Sequence, residues 1–244
     1  MWARRYALGQ LWQVPVRVHL SLLILLGASA LQTQDFKIGV LLFALLLVGV
    51  FLHEAAHARV GKLLGYSINS ISLHAFGGAK ALDSPPDTVR DDILVSLAGP
   101  AASLLAGGVF AVLGYYLPLV WTSQALFTSG ITLVYWSLFN LLPGYPMDGG
   151  RVLRCLLSDP RMDARYPATI AMWIGNVIMG LVVLAALLKR NPFGILLAAY
   201  LYFLNMRYYT EALAEALATA ETALVSEPPY SRSRYSKVKI SKIE

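Results

Sequence analysis

The sequence predicts an all-α polytopic membrane protein of about six transmembrane helices, with a small β-hairpin after the second. Two observations predict it. Hydrophobic residues make up 57% of the 244 and charged residues only 14%, where an ordinary soluble domain carries about 25% charged residues. Apolar runs recur at 18–31, 38–58, 93–118, 124–142, 168–188 and 193–206, and roughly 20 helical residues cross the hydrocarbon of a bilayer.

The first run opens with Arg17 and His19 after a basic Arg4-Arg5 pair. Pro15 and Arg17 interrupt the approach and no small-residue cleavage site stands out beyond it, so it reads as a retained span rather than a cleaved signal. The second run continues through His53, Glu54 and His57 to about Leu64, where Gly65 is placed to stop the helix as a C′ glycine. From 66 to 81, Ile68, Ile71 and Leu73 alternate with Asn and Ser before Phe76-Gly77-Gly78, the pattern of short strands around a turn. A polar loop with Pro85, Pro86, Asp87 and Asp91 leads to the third run, whose Ala98-Gly99-Pro100-Ala101-Ala102-Ser103 stretch lets another helix come close.

The fourth run ends in Asn140-Leu141-Leu142-Pro143-Gly144-Tyr145-Pro146-Met147-Asp148-Gly149-Gly150, too dense in Pro and Gly for a regular helix. Irregular backbone at membrane depth is tolerated only where protein or a water-filled cavity satisfies it. The fifth run is uninterrupted, whereas the sixth is short and carries Asn205 with Arg207 just beyond it, as a tilted or partly interfacial segment would. An Ala- and Glu-rich stretch at 208–225 reads as a soluble helix, and a basic tail follows.

Six crossings with the N-terminus inside place about 17 of the 20 Lys and Arg on the cytoplasmic side, leaving Lys37, Lys189 and Arg190 outside. Both termini are then cytoplasmic. The net charge of +6 follows from that bias and from Arg232, Arg234, Lys237, Lys239 and Lys242, which suit anionic headgroups of the lipid bilayer and give no reason to expect nucleic acid. Cys155 is the only cysteine, which excludes an internal disulfide and a cysteine metal cluster and leaves it the role of a small apolar filler.

His53-Glu54-Ala55-Ala56-His57 carries the chemistry. Four-residue spacing on a helix sets both imidazoles on one face, within reach of a single metal at about 2.0 to 2.1 Å, and Glu54 lies one residue around, near the metal's water. Ionisable groups in a membrane helix are functional by default, because placing them there costs about 3 kcal/mol each. Two histidines leave zinc short of its usual three protein ligands. Asp148 is the third candidate: the unwound segment suits a ligand, and the second and fourth spans both run inward, with His53 about 16 Å from the helix end at Leu64. His19 and His74 read as structural or interfacial.

These residues resemble the site-2 protease family of intramembrane zinc metalloproteases. The match rests on the HExxH helix, on Phe76-Gly77-Gly78-Ala79 followed by Ala98-Gly99-Pro100, and on Asn140 to Gly149, which fits the family's Asn-x-x-Pro-x-x-x-x-Asp-Gly pattern. The resemblance implies one zinc ion per chain held by His53, His57 and Asp148, with Glu54 as the catalytic residue. It implies that Asn140 and Pro143, with a strand at Gly77 and Gly78, hold the backbone of an unwound transmembrane protein substrate. One departure is Ser103, where many relatives carry an Asn that helps bind substrate.

The implied domain organisation is a membrane-embedded protease domain at 1–207, with its catalytic core at 38–158, followed by a cytoplasmic helix and flexible tail at 208–244. The N-terminal Val14-Pro15-Val16-Arg17-Val18-His19 and the span count are most like the subgroup that often carries a CBS-domain pair, for which the tail here is too short, and there is no room for an inserted PDZ domain. The implied setting is a bacterial plasma membrane with the active site toward the cytoplasm. Two rival readings remain. A non-catalytic zinc-binding scaffold or sensor would have no need of Glu54, and a protease of the prenyl-protein-processing kind would draw its third ligand from Glu211 or Glu215.

Overall fold

The structure, a computed structural model, describes residues 5–19, 22, 33, 35–73, 82, 86–118, 120–158, 163 and 165–226. The chain begins as a hairpin of β1 (Arg5–Leu11) and β2 (Val14–His19). Trp12 and Gln13 connect the strands with φ of 51° and 67°, the doubly left-handed turn that matches strand twist. That turn ordinarily announces itself with Asn-Gly, and the Trp-Gln pair here gives no such signal. A register shift between Ala7 and Gly9 marks a bulge, with Gly9 at φ 137° supplying the left-handed backbone.

Helix α1 (Phe36–Leu63) bears His53, Glu54 and His57. Its N-terminus is capped by Asp35, whose carboxylate accepts from the Lys37 backbone N–H at 2.8 Å. At the other end the Gly65 N–H bonds to the Lys62 carbonyl and the Tyr66 N–H to the Gly61 carbonyl, a Schellman closure with Gly65 at φ 93°. Gly65 therefore stops the helix as the sequence predicts.

Strand β3 (Ile71–Leu73) pairs parallel with β2, giving the sheet order β1-β2-β3. β3 thus joins the N-terminal hairpin; of the hairpin expected after the second run, an antiparallel bridge between Ile68 and Leu82 lies among the described residues, and Gly77 and Gly78 lie outside them. Pro15 falls before the stretch of β2 that pairs with β3, which begins at Val16, so its missing N–H costs no bond there. Val14, Val16, Ile71 and Leu73 pack with Ala55 and Ala58 of α1 in one buried cluster. The Lys62 ammonium binds the Trp12 carbonyl and the Arg59 guanidinium sits 5.1 Å over the Trp12 ring. The sheet is a brace on the turns of α1 that carry the HExxH pattern.

Helix α2 (Val89–Tyr116) starts at a Thr88 cap and contains Pro100, and α3 (Val120–Asn140) packs closely along it. A Cβ at Gly107 would meet the Gly130 carbonyl at 2.8 Å, so the two backbones approach as small residues allow. Ser137 of α3 donates across to the Pro100 carbonyl at 2.5 Å.

After Asn140 the chain leaves the helix through a tight segment and re-enters as the short α4 (Asp148–Leu157), as the Pro and Gly density predicts. Helices α5 (Arg165–Leu188) and α6 (Pro192–Ser226) follow. The sixth apolar run and the Ala- and Glu-rich stretch form one continuous helix of 35 residues, not two elements. Asn205 crosslinks this pair, donating to Met172 O at 3.0 Å and Asn176 Oδ1 at 2.7 Å.

Among the described residues α1, α2 and α5 are long and apolar enough to cross a bilayer. Large apolar side chains such as Leu105, Val112, Trp173, Val177 and Leu188 stand exposed along them. That is the outward surface of an integral membrane protein, its solvent being lipid.

Candidate metal centre

His53 and His57 are buried on one face of α1, four residues apart, and their rings meet edge to face. Asp148, the first residue of α4, comes to the same point: its Oδ2 lies 3.2 Å from His53 Nε2 and 3.5 Å from His57 Nε2, and the two Nε2 atoms are 3.2 Å apart. The Pro- and Gly-rich turn before it is held to α5 by the Tyr145 N–H bonding to the Ala171 carbonyl at 3.1 Å.

The other nitrogen of each ring is already committed. His57 Nδ1 lies 2.6 Å from the Val95 carbonyl, which can only accept, so Nδ1 carries the proton. His53 Nδ1 lies 3.1 Å from Ser103 Oγ, and the Ser103 hydroxyl has carbonyl acceptors of its own in Gly99 at 3.1 Å and Pro100 at 3.3 Å. The serine oxygen therefore accepts from His53. Both Nε2 lone pairs are left facing Asp148, the arrangement in which an outer acceptor fixes the tautomer and aim of a metal-binding imidazole.

These residues fit zinc. A tetrahedral ion with bonds of about 2.0 to 2.1 Å sets neighbouring ligand atoms about 3.3 Å apart, and the three observed separations run from 3.2 to 3.5 Å. Imidazole and carboxylate are the donors of the His- and acid-liganded zinc hydrolases. Three protein donors leave the fourth position for water or substrate.

Gly99 makes the close fit possible. A Cβ there would fall on the imidazoles, 2.5 Å from His57 Cε1 and 2.8 Å from His53 Nε2. Glu54 is buried on the same turn of α1. Asn140 ends α3 half-buried and Pro143 is exposed on the following turn. His19 closes β2 and is not among the grouped donors, His74 is outside the described residues, and Glu211 pairs with Arg207 at 3.0 Å.

Sequence reading missed a second buried cluster beside the first. Asp92 of α2 is buried, and its carboxylate accepts from Arg151 Nη2 at 2.7 Å, Arg154 Nη2 at 3.0 Å and Cys155 Sγ at 3.1 Å. Cys155 is thus a hydrogen-bond donor rather than an apolar filler, and burial together with the Asp92 charge pushes its thiol up to about 12. Ser103 likewise has a job that its departure from the family pattern hid. The available signals were an acid at the head of an apolar run and two arginines three apart just after Asp148.

A profile of the Peptidase M50B-like family matches residues 20–142, half of the chain. The chain belongs to this family. Among curated relatives, zinc metalloprotease MJ0392 of Methanocaldococcus jannaschii is 31% identical over 78% of this chain and 56% of its own length. Putative zinc metalloprotease Rip3 of Mycobacterium tuberculosis is 31% identical over 70% of this chain and 44% of its own. The chain spans about half the length of the curated relatives it matches. Among solved structures, the site-2 protease from Methanocaldococcus jannaschii matches with a TM-score of 0.66 and 27% identity, covering 84% of this chain and 95% of that one. The profile ends before Asp148, so for this residue the geometry speaks separately from the family match.

Proposed function

We propose that the chain is a zinc-dependent intramembrane endopeptidase that cuts membrane-tethered proteins within or beside their transmembrane segments. The observation that carries this reading is the set of three donor atoms, His53 Nε2, His57 Nε2 and Asp148 Oδ2, spaced as the edges of a tetrahedral zinc site, the two histidines on a helix that faces lipid elsewhere. One zinc ion held there supplies a Lewis acid that acidifies water and polarises the scissile carbonyl.

Glu54 takes the water's proton and passes it to the leaving amine. Its burial beside the histidines keeps bulk water from competing for that proton. The substrate arrives as a helix with its carbonyls hydrogen-bonded, so it unwinds before the cut; Asn140, Pro143, Gly77 and Gly78 hold it extended. Asp148, not Glu211, completes the group among the described residues, which favours this reading over the prenyl-processing kind. In the same reading 1–207 is the embedded domain, both termini and the active site face the cytoplasm, and the membrane is a bacterial plasma membrane.

Glu54→Gln tests the mechanism. In purified, reconstituted protein this variant is expected to retain about one zinc while cleavage of a tethered substrate falls about 10²-fold or more. Undiminished cleavage would sink the role of Glu54. Retention of zinc with no cleavage by the wild type of any of a panel of transmembrane substrates would favour the non-catalytic scaffold.

A further inference from the structure

We propose that Asp92 is a positioning residue for Asp148: by gripping Arg151, Arg154 and Cys155 it fixes the rotation of α4 and so the place of the carboxylate beside the two histidines. This rests on the reading of Asp148 as a metal ligand.

The argument begins with what α4 lacks. It is ten residues long, begins at Asp148, and its N-cap Met147 makes no side-chain cap, so little within the helix itself sets where its first side chain points. Arg151, Arg154 and Cys155 follow Asp148 at three, six and seven residues, which gathers them on one side of the helix. All three meet the same buried carboxylate, Arg151 on Oδ1, Arg154 and Cys155 on Oδ2. Ser96 also faces Oδ1, at 3.4 Å. With both oxygens engaged by different residues, α4 cannot turn about its axis without breaking a charge-assisted bond to a carboxylate that is itself buried.

The second step is where Asp92 sits. Val95 holds His57 Nδ1, Gly99 makes room for both imidazoles and Ser103 holds His53 Nδ1. Residues 92, 95, 99 and 103 recur at three- and four-residue intervals, on one stripe of α2. Each of the three donor side chains is thereby referenced to one helix: His57 through Val95, His53 through Ser103, and Asp148 through Asp92 and α4. A site whose ligands must agree to a few tenths of an ångström gains from a common support.

Zinc affinity, measured by chelator competition on the full chain in detergent, and the visible spectrum of the cobalt-loaded protein read this directly. Asp92→Asn, which keeps shape and loses charge, is expected to weaken zinc about 10- to 100-fold, to alter the cobalt bands, and to lower kcat with KM changed less than about threefold. Asp92→Glu should recover part of each. Arg154→Gln, which leaves the Arg151 contact in place, should move the same readouts by a smaller amount and serves if Asp92→Asn does not fold. Arg207→Ala, on an exposed pair, should move none of them. Wild-type zinc affinity and cobalt spectrum in Asp92→Asn, or in Arg154→Gln where only that variant folds, would overturn the proposal. Asp148→Ala separates the two failures: if it loses zinc while the Asp92 variants keep it, only the positioning role falls, and if it keeps zinc the ligand reading falls.

Discussion

His57 gives its Nδ1 proton to the Val95 carbonyl across 2.6 Å, and in doing so it is told which nitrogen to offer the metal. The bond runs from α1 to α2 and uses a backbone acceptor, so no side-chain substitution at residue 95 deletes it. The vulnerable points of the centre are therefore elsewhere, at residues whose side chains or lack of one decide the geometry.

Gly99→Ala places a methyl group against His57 and His53. The neighbours are two rings held at their far nitrogens, not a flexible chain end, so they cannot both give way. Zinc content by mass spectrometry is expected to drop well below one per chain while the protein still extracts and remains helical. A full complement of zinc in this variant would mean that α2 can retreat.

Ser103→Ala removes the acceptor of His53 and leaves its Nδ1–H unpaired in a buried place. Loss of such an outer partner typically costs 10- to 100-fold in metal affinity or activity, so about tenfold weaker zinc is the expected result of a chelator titration. Unchanged affinity would show that the hydroxyl serves only its own helix.

The Cys155 thiol is held up to about 12, first by burial and then by the Asp92 carboxylate beside it. Its reactive form is the thiolate, so a raised value means less of it at every pH below that. Maleimide labelling at pH 8 should be slow in the folded protein and prompt once sodium dodecyl sulfate unfolds it. Prompt labelling of the folded chain would contradict the Asp92 contact.

Gly65→Ala addresses the end of α1. At φ 93° a side chain costs about 1 to 2 kcal/mol, and a Cβ there meets no neighbouring atom. A lower midpoint in denaturant with normal zinc content is expected, in contrast to Gly99→Ala. Loss of zinc here would mean that the Schellman closure is coupled to the histidines.

Much of the centre was legible in the sequence because its parts are local patterns. Four-residue spacing puts His53 and His57 on one helical face, and a Pro- and Gly-rich turn announces the break that frees Asp148. Gly65 as a helix stop was readable for the same reason. The N-terminal hairpin was not, because its turn residues are Trp12 and Gln13, whose positive φ values no composition rule expects. Nor was the Asp92 cluster: its partners lie 59 to 63 residues away, and no periodicity within α2 says which arginine an acid will meet. Ser103 read as a departure from a pattern, and only the direction of its hydrogen bonds reveals what it supports.

The parallel pairing of β2 with β3 also sets a clock. Ile71 follows Val16 by 55 residues, and translation at about 5 to 20 residues per second brings the partner out roughly 3 to 10 seconds later. During that wait the hairpin's inner edge presents bare N–H and C=O groups to whatever strand is near. The brace on the histidine helix thus stays open until β3 emerges, and nascent-chain neighbours or fused peptides able to form a strand compete for that edge first.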